Sequence, residues 1–193
     1  MEAERTRVPH RIVVLGDSCS GKSTLAQRLA DRLNAPYVEL DALYWRPKWT
    51  PAPAEEFLEA LTDVASGDRW VTAGNYTTRT QVTTWPRAEL IVWLDLPLWR
   101  VLPRMVRRTW RRWRRRELLW GTNVEEPWQH LRFWEVDKNL FSYTVLRHHS
   151  RRAAYTQAML DPRWSQTRFV RLCSPAEIAA FARAFEEQGP GRR

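Results

Sequence analysis

The chain has 193 residues, enough for one domain with a sizeable buried core. Its net charge is +9, from 31 lysines and arginines against 22 aspartates and glutamates, which predicts an anionic partner such as a nucleotide or a nucleic acid. Two cysteines argue against a disulfide framework, and no apolar run approaches the roughly 20 residues of a membrane span. The start, Met1 to His10, is too polar for a secretory signal, so we expect a cytoplasmic protein with no membrane partner.

The first elements are a strand, a loop and a helix. Residues 11–15 are apolar and rich in β-branched side chains, which predicts a strand. Leu25, Leu29 and Leu33 recur every four residues, which predicts a helix. The segment between them fits the pattern G-x-x-x-x-G-K-[ST] at each fixed position, with the residues Gly16, Asp17, Ser18, Cys19, Ser20, Gly21, Lys22 and Ser23.

This loop has the residue types that a triphosphate requires. Glycines let backbone N–H groups turn inward onto phosphates, and the following helix adds the positive end of its dipole. Lys22 would reach the β- and γ-phosphates, Ser23 would bind Mg²⁺, and Thr24 would touch the α-phosphate. The alternative is a purely structural turn, which would leave Lys22 and Ser23 without an anionic partner. We therefore predict ATP and Mg²⁺ as cofactors.

The rest of the chain alternates between predicted strands and predicted helices. Apolar segments predict further strands at residues 37–40, 70–73, 90–94 and 169–172. Helical patterns cover residues 55–65, 98–119 and 141–159, and a capped helix begins at Ser174-Pro175, whereas residues 42–53 are expected to be irregular. This alternation predicts an α/β fold with a parallel sheet covered on both faces.

Ligands of such a sheet bind beyond the C-terminal ends of its strands. Glu39 and Asp41 lie two apart at one strand end, where Glu39 could orient Mg²⁺ through water and Asp41 could accept a proton from a substrate hydroxyl. The alternative for both is a solvated carboxylate at a turn. Asp95 is a further magnesium candidate, although the Leu96-Pro97 that follows it favours a turn-forming role.

Gly74, Asn75 and Tyr76 follow the end of the third strand. Glycine permits the close approach of a ligand, and the other two side chains carry hydrogen-bonding groups, so we predict that all three contact the substrate. A plain turn is the alternative.

The stretch from residue 98 to 119 combines an apolar face with nine arginines between Arg100 and Arg116. The predicted apolar face comprises Leu98, Leu102, Met105, Trp110 and Trp113. Arg104, Arg108 and Arg111 repeat at helical spacing, where like charges repel and a bound anion would relieve the repulsion. We predict that Arg108 and Arg111 stabilise a transferring phosphoryl group, the alternative being a solvated basic face.

The chain after this helix carries two further predictions. Residues 117–135, rich in tryptophan and leucine, are expected to form either a mobile lid or a hydrophobic contact surface. In the 141–159 helix, one of Arg147, Arg151 and Arg152 is predicted to face the phosphates, without the spacing deciding which, and Arg151 is predicted to bind the substrate. His148 and His149 are predicted to be solvated.

Together these segments resemble the small P-loop kinases related to adenylate and shikimate kinases. They resemble more closely the bacterial group of DNA topology modulation, or adenylate kinase-like, P-loop proteins. The matching segments are residues 14–23, 38–45, 70–76, 92–97 and the arginine-rich helix that follows, in the family order.

The resemblance implies a three-layer P-loop NTPase fold with five parallel strands in the order 2-3-1-4-5 and an arginine-bearing lid around residues 111–127. It also implies an acceptor site between Asp41, the 55–65 helix and residues 74–76, with Ser174 and Pro175 lying against the adenine. Two positions depart from the family pattern. Ala73 stands where an aspartate often supports Mg²⁺, and Cys19 stands where many relatives have glycine.

These observations predict a single P-loop kinase-like domain over residues 1–193, with its core at 11–98 and 140–187 and a lid-like insertion at about 108–135. The predicted function is transfer of the γ-phosphoryl group of Mg·ATP to a small nucleotide or metabolite. One alternative is a nucleic-acid-associated P-loop ATPase or regulator that binds through the Arg100–Arg116 helix. Another is a nucleotide-sensing switch without turnover, which Ala73 favours.

Overall fold

The central element of the fold is a five-stranded parallel sheet. A computed structural model describes residues 8–124 and 140–187. The sheet strands are β1 (Arg11–Gly16), β2 (Tyr37–Glu39), β3 (Trp70–Ala73), β4 (Leu90–Leu94) and β5 (Arg168–Leu172). Their order is β2-β3-β1-β4-β5, which confirms the 2-3-1-4-5 arrangement.

The helices alternate with these strands as the sequence pattern indicates. They are α1 (Lys22–Leu33), α2 (Leu40–Tyr44), α3 (Ala54–Ser66), α4 (Thr77–Thr80), α5 (Leu98–Arg115), α6 (Leu140–Leu160) and α7 (Pro175–Glu187). A Ser174 cap begins α7, because the N–H of Glu177 donates to Ser174 Oγ at 3.2 Å.

The sheet is covered on both faces, as its apolar strands require. Alternate residues of β1 point to opposite sides, because side chains of a strand alternate. Ile12 and Val14 pack with α1 and α7, whereas Val13 and Leu15 pack with Trp85 and with α6. The parallel direction of all five strands places their C-terminal ends at one edge of the sheet.

The region after β2 differs from the prediction. The strand ends at Glu39, and residues 42–53 are not irregular. Leu40 begins α2, and a short antiparallel hairpin follows, which pairs Trp45–Arg46 with Thr50–Pro51 and is called here the 45–51 hairpin. The physical reason is burial of Leu40, whose Cβ lies 2.7 Å from where a Cβ of Gly74 would stand.

Helix α5 also differs from its prediction. It ends at Arg115, and a second small hairpin pairs Leu118–Leu119 with Asn123–Val124, called here the 118–124 hairpin. The buried residues of α5 are Val101, Met105 and Thr109. The predicted apolar face was therefore wrong at Trp110, which is 56% exposed. The packed side of the helix is set by contact with Leu96, the phosphate loop and helices α6 and α7 rather than by the largest apolar residues.

The structure covers only part of the predicted lid, because residues 125–135 lie outside the described residues. Over the described helices, none combines the length and apolar character needed to cross a bilayer.

Candidate nucleotide and acceptor site

The loop after β1 has a backbone shape that depends on its glycines. Gly16 has φ +150°, and a Cβ there would lie 2.7 Å from Ser20 Oγ and 2.9 Å from the carbonyl oxygen of Leu94. Gly21, with φ +100°, is the residue that precedes α1. The first turn of that helix contains Lys22, and its free backbone N–H groups suit an anion.

Asn75 holds the start of this loop. Its Oδ1 accepts from the N–H of Gly16 at 3.2 Å, and its Nδ2 donates to the carbonyl oxygen of Gly16 at 2.7 Å. The hydroxyl of Tyr155 donates to the same Oδ1 at 3.3 Å. The amide is therefore engaged with the loop, and contact of Asn75 with a substrate stays a prediction.

Asp17 ties the loop to α6. One carboxylate oxygen lies 2.7 Å from Nδ1 of His148, and the other forms an ion pair with Arg151. His148 is only 4% exposed, so the prediction that it is solvated was wrong; its neighbour His149 is exposed. Arg151 does lie at the loop, where it contacts Asp17, and its contact with a substrate stays a prediction.

Lys22 lies within electrostatic reach of four other site residues. Burial lowers the pKa of its ammonium, and the charge of Arg108 lowers it further. The negative charges of Asp41 and Glu39 and the Cys19 thiol act in the opposite direction. Strand β2 ends at Glu39 and Asp41 belongs to α2, so the expectation that the two carboxylates stand together on one strand end was wrong, although the charges of both act on Lys22.

Arg108 reaches from α5 to the loop. Its Nη2 donates to Ser18 Oγ at 3.1 Å. Within residues 8–124 and 140–187, Arg108 Nε and Ser20 Oγ are buried without a hydrogen-bond partner. Such orphaned groups are costly unless a ligand satisfies them, and a phosphate has the acceptor oxygens that Arg108 needs. The residues present therefore fit a bound nucleotide phosphate.

Arg111 is exposed on the same helix. It borders an open cavity of about 740 Å³ whose described lining residues are Arg104, Arg107, Arg108, Trp110, Arg111, Arg114 and Arg115. A catalytic role for Arg111 stays a prediction.

Ser23 and Glu39 are the magnesium candidates. Ser23 Oγ donates to Glu39 Oε1 at 3.5 Å, so a hydroxyl and a carboxylate stand together at the start of α1. Oxygen ligands suit Mg²⁺, which keeps several waters and takes further ligands from phosphates. No cluster of three or more His, Cys, Asp or Glu that could hold a metal occurs in the described part of the chain. The pair therefore fits a nucleotide-bound magnesium ion rather than a metal held by protein alone.

Asp95 is not free to serve that ion. It is 6% exposed, and its carboxylate pairs with Arg171 and Arg152, at 2.9 Å from Nε of each. Two guanidinium groups already neutralise it, so its place as a magnesium candidate was wrong.

The acceptor side of the site contains Asp41 and a group of aromatic rings. The hydroxyl of Tyr76 donates to Asp41 Oδ1 at 2.8 Å. Burial, followed by the charge of Asp41, raises the pKa of Tyr76 well above its usual range, so it stays a donor. Tyr76 packs on Tyr44 and Phe57, with ring centroids 4.7 and 4.9 Å away. The close approach that Gly74 permits is filled by Leu40, and substrate contact by Gly74 stays a prediction.

Arg79 is a site residue that the sequence reading missed. Its guanidinium carbon lies 6.0 Å from the centroid of Tyr44 and 5.7 Å from that of Phe57. It belongs to α4, which begins directly after Tyr76. Ligands bind beyond the C-terminal ends of the strands, and including the helical turn after Tyr76 among the candidate residues would have identified Arg79.

Ser174 and Pro175 form the start of α7, directly after β5. The hydroxyl of Ser174 accepts from the N–H of Glu177 and donates to its carboxylate at 2.9 Å. This capping fixes the loop that was expected beside the adenine, and adenine contact stays a prediction.

Comparison with known proteins identifies the architecture. No family model and no curated protein matches the chain. Among solved structures, a shikimate kinase from Bacteroides thetaiotaomicron matches with 18% identity and a TM-score of 0.50, over 93% of this chain and 97% of that one. A gluconokinase from Sinorhizobium meliloti 1021 matches with 22% identity and a TM-score of 0.46, over 93% of each chain. With the strand order and the loop described above, the likeness to the shikimate kinase shows that the chain has the fold of the small P-loop kinases.

Proposed function

We propose that this protein is an ATP-dependent phosphotransferase of the cytoplasm, which moves the γ-phosphoryl group of ATP to a hydroxyl of a small acceptor. The observation that carries the proposal is the electrostatic coupling of Asp41 with Lys22, beside a cluster of aromatic rings formed by Tyr44, Phe57 and Tyr76. The negative charge of Asp41 acts on the Lys22 ammonium, and Tyr76 holds the same carboxylate. A potential base thus acts electrostatically on the cation that would meet the γ-phosphate.

The proposed reaction assigns one task to each group. Asp41 accepts the proton of the acceptor hydroxyl as its oxygen attacks the γ-phosphorus, and ADP leaves with the electrons of the broken P–O bond. Lys22 and Arg108 stabilise the negative charge on the transferring group. Ser23 and Glu39 would hold Mg²⁺, which when bound neutralises charge between the β- and γ-phosphates.

The positive charge of Arg79 limits the chemical class of acceptor that the site would bind. Its guanidinium stands over two aromatic rings near Asp41, and no ion pair with a carboxylate engages it among the described residues. We infer that it takes up a carboxylate or phosphate of the acceptor. The acceptor would then be an anionic metabolite or nucleotide with a free hydroxyl.

Replacement of Asp41 tests this proposal. Asp41→Asn should lower acceptor-dependent formation of ADP by roughly 10²- to 10⁴-fold, because the base is lost, while ATP affinity stays unchanged. Asp63→Asn, at an exposed position of α3, is the matched control. Acceptors are to be screened as sugar acids, hydroxy acids and nucleoside monophosphates. Nucleotide binding without transfer to any acceptor of these classes would reject the proposal.

A second candidate function rests on the outer side of α5. Five exposed arginines there have no acidic partner among the described residues: Arg104, Arg107, Arg111, Arg114 and Arg115. Trp99 and Trp110 are 68% and 56% exposed on the same helix. Uncompensated guanidinium groups beside exposed rings suit the phosphates and bases of a single-stranded nucleic acid.

Charge reversal separates this candidate from the first. Arg107→Glu with Arg114→Glu should weaken binding of a labelled single-stranded oligonucleotide, and binding should fall steeply with salt. Arg183→Glu on the surface of α7 is the control. An absent or salt-independent shift of the oligonucleotide would reject nucleic-acid binding and leave the phosphotransferase proposal intact.

A further inference from the structure

The 118–124 hairpin is joined to the 45–51 hairpin by a buried amide. Asn123 is 2% exposed. Its Oδ1 accepts from the backbone N–H of Trp49 at 2.9 Å, and its Nδ2 donates to the carbonyl oxygen of Arg46 at 3.0 Å. The indole N–H of Trp49 donates a hydrogen bond to the carbonyl oxygen of Val124 at 3.1 Å. The chain after α5 is therefore fixed to the segment that follows Asp41.

The tip of the 118–124 hairpin has an unusual backbone. Trp120 has φ +50° and Gly121 has φ +75°, and the N–H of Thr122 donates to the carbonyl oxygen of Leu119 at 3.0 Å. The left-handed region suits glycine and costs free energy for a tryptophan. A residue persists in such a conformation where its surroundings hold it, and this points to the contacts of its side chain.

The side chain of Trp120 contacts Glu39, one of the two magnesium candidates. The indole Nε1 of Trp120 donates to Glu39 Oε2 at 3.2 Å, and its ring packs edge-on against Trp49 at 5.8 Å. The other carboxylate oxygen, Oε1, lies 3.5 Å from Ser23 Oγ. Glu39 is thus held between the phosphate loop on one side and the 118–124 hairpin on the other.

We propose that Trp120 is a positioning residue for the binding of Mg·ATP. Its indole N–H holds the Glu39 carboxylate so that Oε1 faces the magnesium ion beside Ser23. This inference rests on the proposed function, because it assigns magnesium to that pair. An indole is a neutral donor and leaves the carboxylate charge in place, whereas an arginine there would neutralise it. The bond also restricts a flexible side chain before the ion arrives, as partners of metal-binding groups commonly do.

Trp120→Phe is the direct test, because phenylalanine keeps a ring against Trp49 and removes the N–H. ATP affinity is measured by titration calorimetry twice, once with EDTA and once with excess Mg²⁺. We expect the affinity in EDTA to be unchanged and the gain on adding Mg²⁺ to shrink by about tenfold, the usual effect of losing a partner of a metal-binding group. A purely structural role for Trp120 would alter both affinities alike.

Two further variants complete the design. Leu160→Ala changes an exposed side chain at the end of α6 and should leave the magnesium gain unchanged. Glu39→Gln keeps an oxygen for the indole N–H and removes the charge, so it should lose the magnesium gain with the hairpin in place. Adding Trp120→Phe to Glu39→Gln should then change nothing more, since both act through one carboxylate.

The outcomes separate the inference from the proposed function. A magnesium gain that is equal in the wild type and in Trp120→Phe overturns the inference, whatever Glu39→Gln shows, while ATP binding in EDTA still supports the nucleotide site. If Trp120→Phe does not fold, Glu39→Gln decides alone, and retention of the gain in that variant overturns the inference. Absence of ATP binding under both conditions would remove the proposed function and the inference with it.

Discussion

The phosphate loop and helix α5 both contribute cations to the site, and they hold them differently. In the loop, Lys22 is placed by backbone shape, and the loop itself is fixed by Asn75 and by the contacts of Asp17 with α6. On α5, most arginines are exposed, and the side chain of Arg108 bonds to the loop. Net charge therefore indicates an anionic partner, whereas the constraint on each cation indicates which of them can act on a phosphoryl group.

The largest effect should come from the most constrained cation. Lys22→Met should lower phosphoryl transfer by at least about 10³-fold, because a preorganised charge at the transferring group is lost. The control is Lys48→Met, at an exposed position. Acceptor-dependent release of ADP measures both, and equal loss in the two variants would contradict a special role for the loop lysine.

The same variant has a consequence for stability. Burial lowers the pKa of Lys22 from its ordinary 10.5, so the folded state disfavours the charged ammonium. Without nucleotide, Lys22→Met should unfold at a higher temperature than the wild type at neutral pH. The advantage should shrink as pH rises from the lowered pKa toward 10.5, because the wild-type amine then loses its proton in the folded state.

Neighbouring arginines on α5 sharpen the comparison. Arg108 is half-buried and contacts Ser18, whereas Arg107, one position earlier in the helix, is exposed. Arg108→Gln should lower kcat by about 10²-fold, since it removes one charge-stabilising donor, and Arg107→Gln should change kcat by less than about twofold. If both variants behave alike, charge density on the helix rather than the position of one guanidinium governs the reaction.

Removal of the two hydrogen bonds from Asn75 to Gly16 should have a smaller effect, on stability as well as on ATP binding. Asn75→Ala removes both hydrogen bonds to Gly16, which should lower the free energy of unfolding by about 2 kcal/mol. For a chain of this length the unfolding midpoint should fall by about 6 °C. ATP affinity should also weaken, because the loop entry is less fixed. Thr78→Ala, on the exposed side of α4, is the control in thermal unfolding and in ATP titration.

What the sequence could predict follows from how local each feature is. The loop, the five strands and the start of α7 depend on neighbouring residues, such as Gly21 before Lys22 or Ser174 before Pro175, and these were found. The partner of His148 is Asp17, 131 residues earlier, so no local pattern distinguishes it from a solvated histidine. The 45–51 hairpin likewise depends on Asn123, 77 residues from Arg46. Resemblance supplied the strand order, which spacing alone left open.

Cys19 offers the smallest effect and tests whether backbone shape or side chain sets the loop. It has φ +63°, in the region that favours glycine, and its side chain packs with Leu96, Val101 and Met105. Cys19→Ala loses that packing and keeps the unfavourable backbone, whereas Cys19→Gly loses the packing and relieves the backbone. Cys19→Gly should therefore be the more stable of the two by about 1 kcal/mol in denaturant unfolding, and ATP affinity should change by less than about threefold in both. The reverse order of stability would mean that side-chain packing against α5 outweighs backbone strain, and the loop would then depend on the arginine helix for its shape as well as for Arg108.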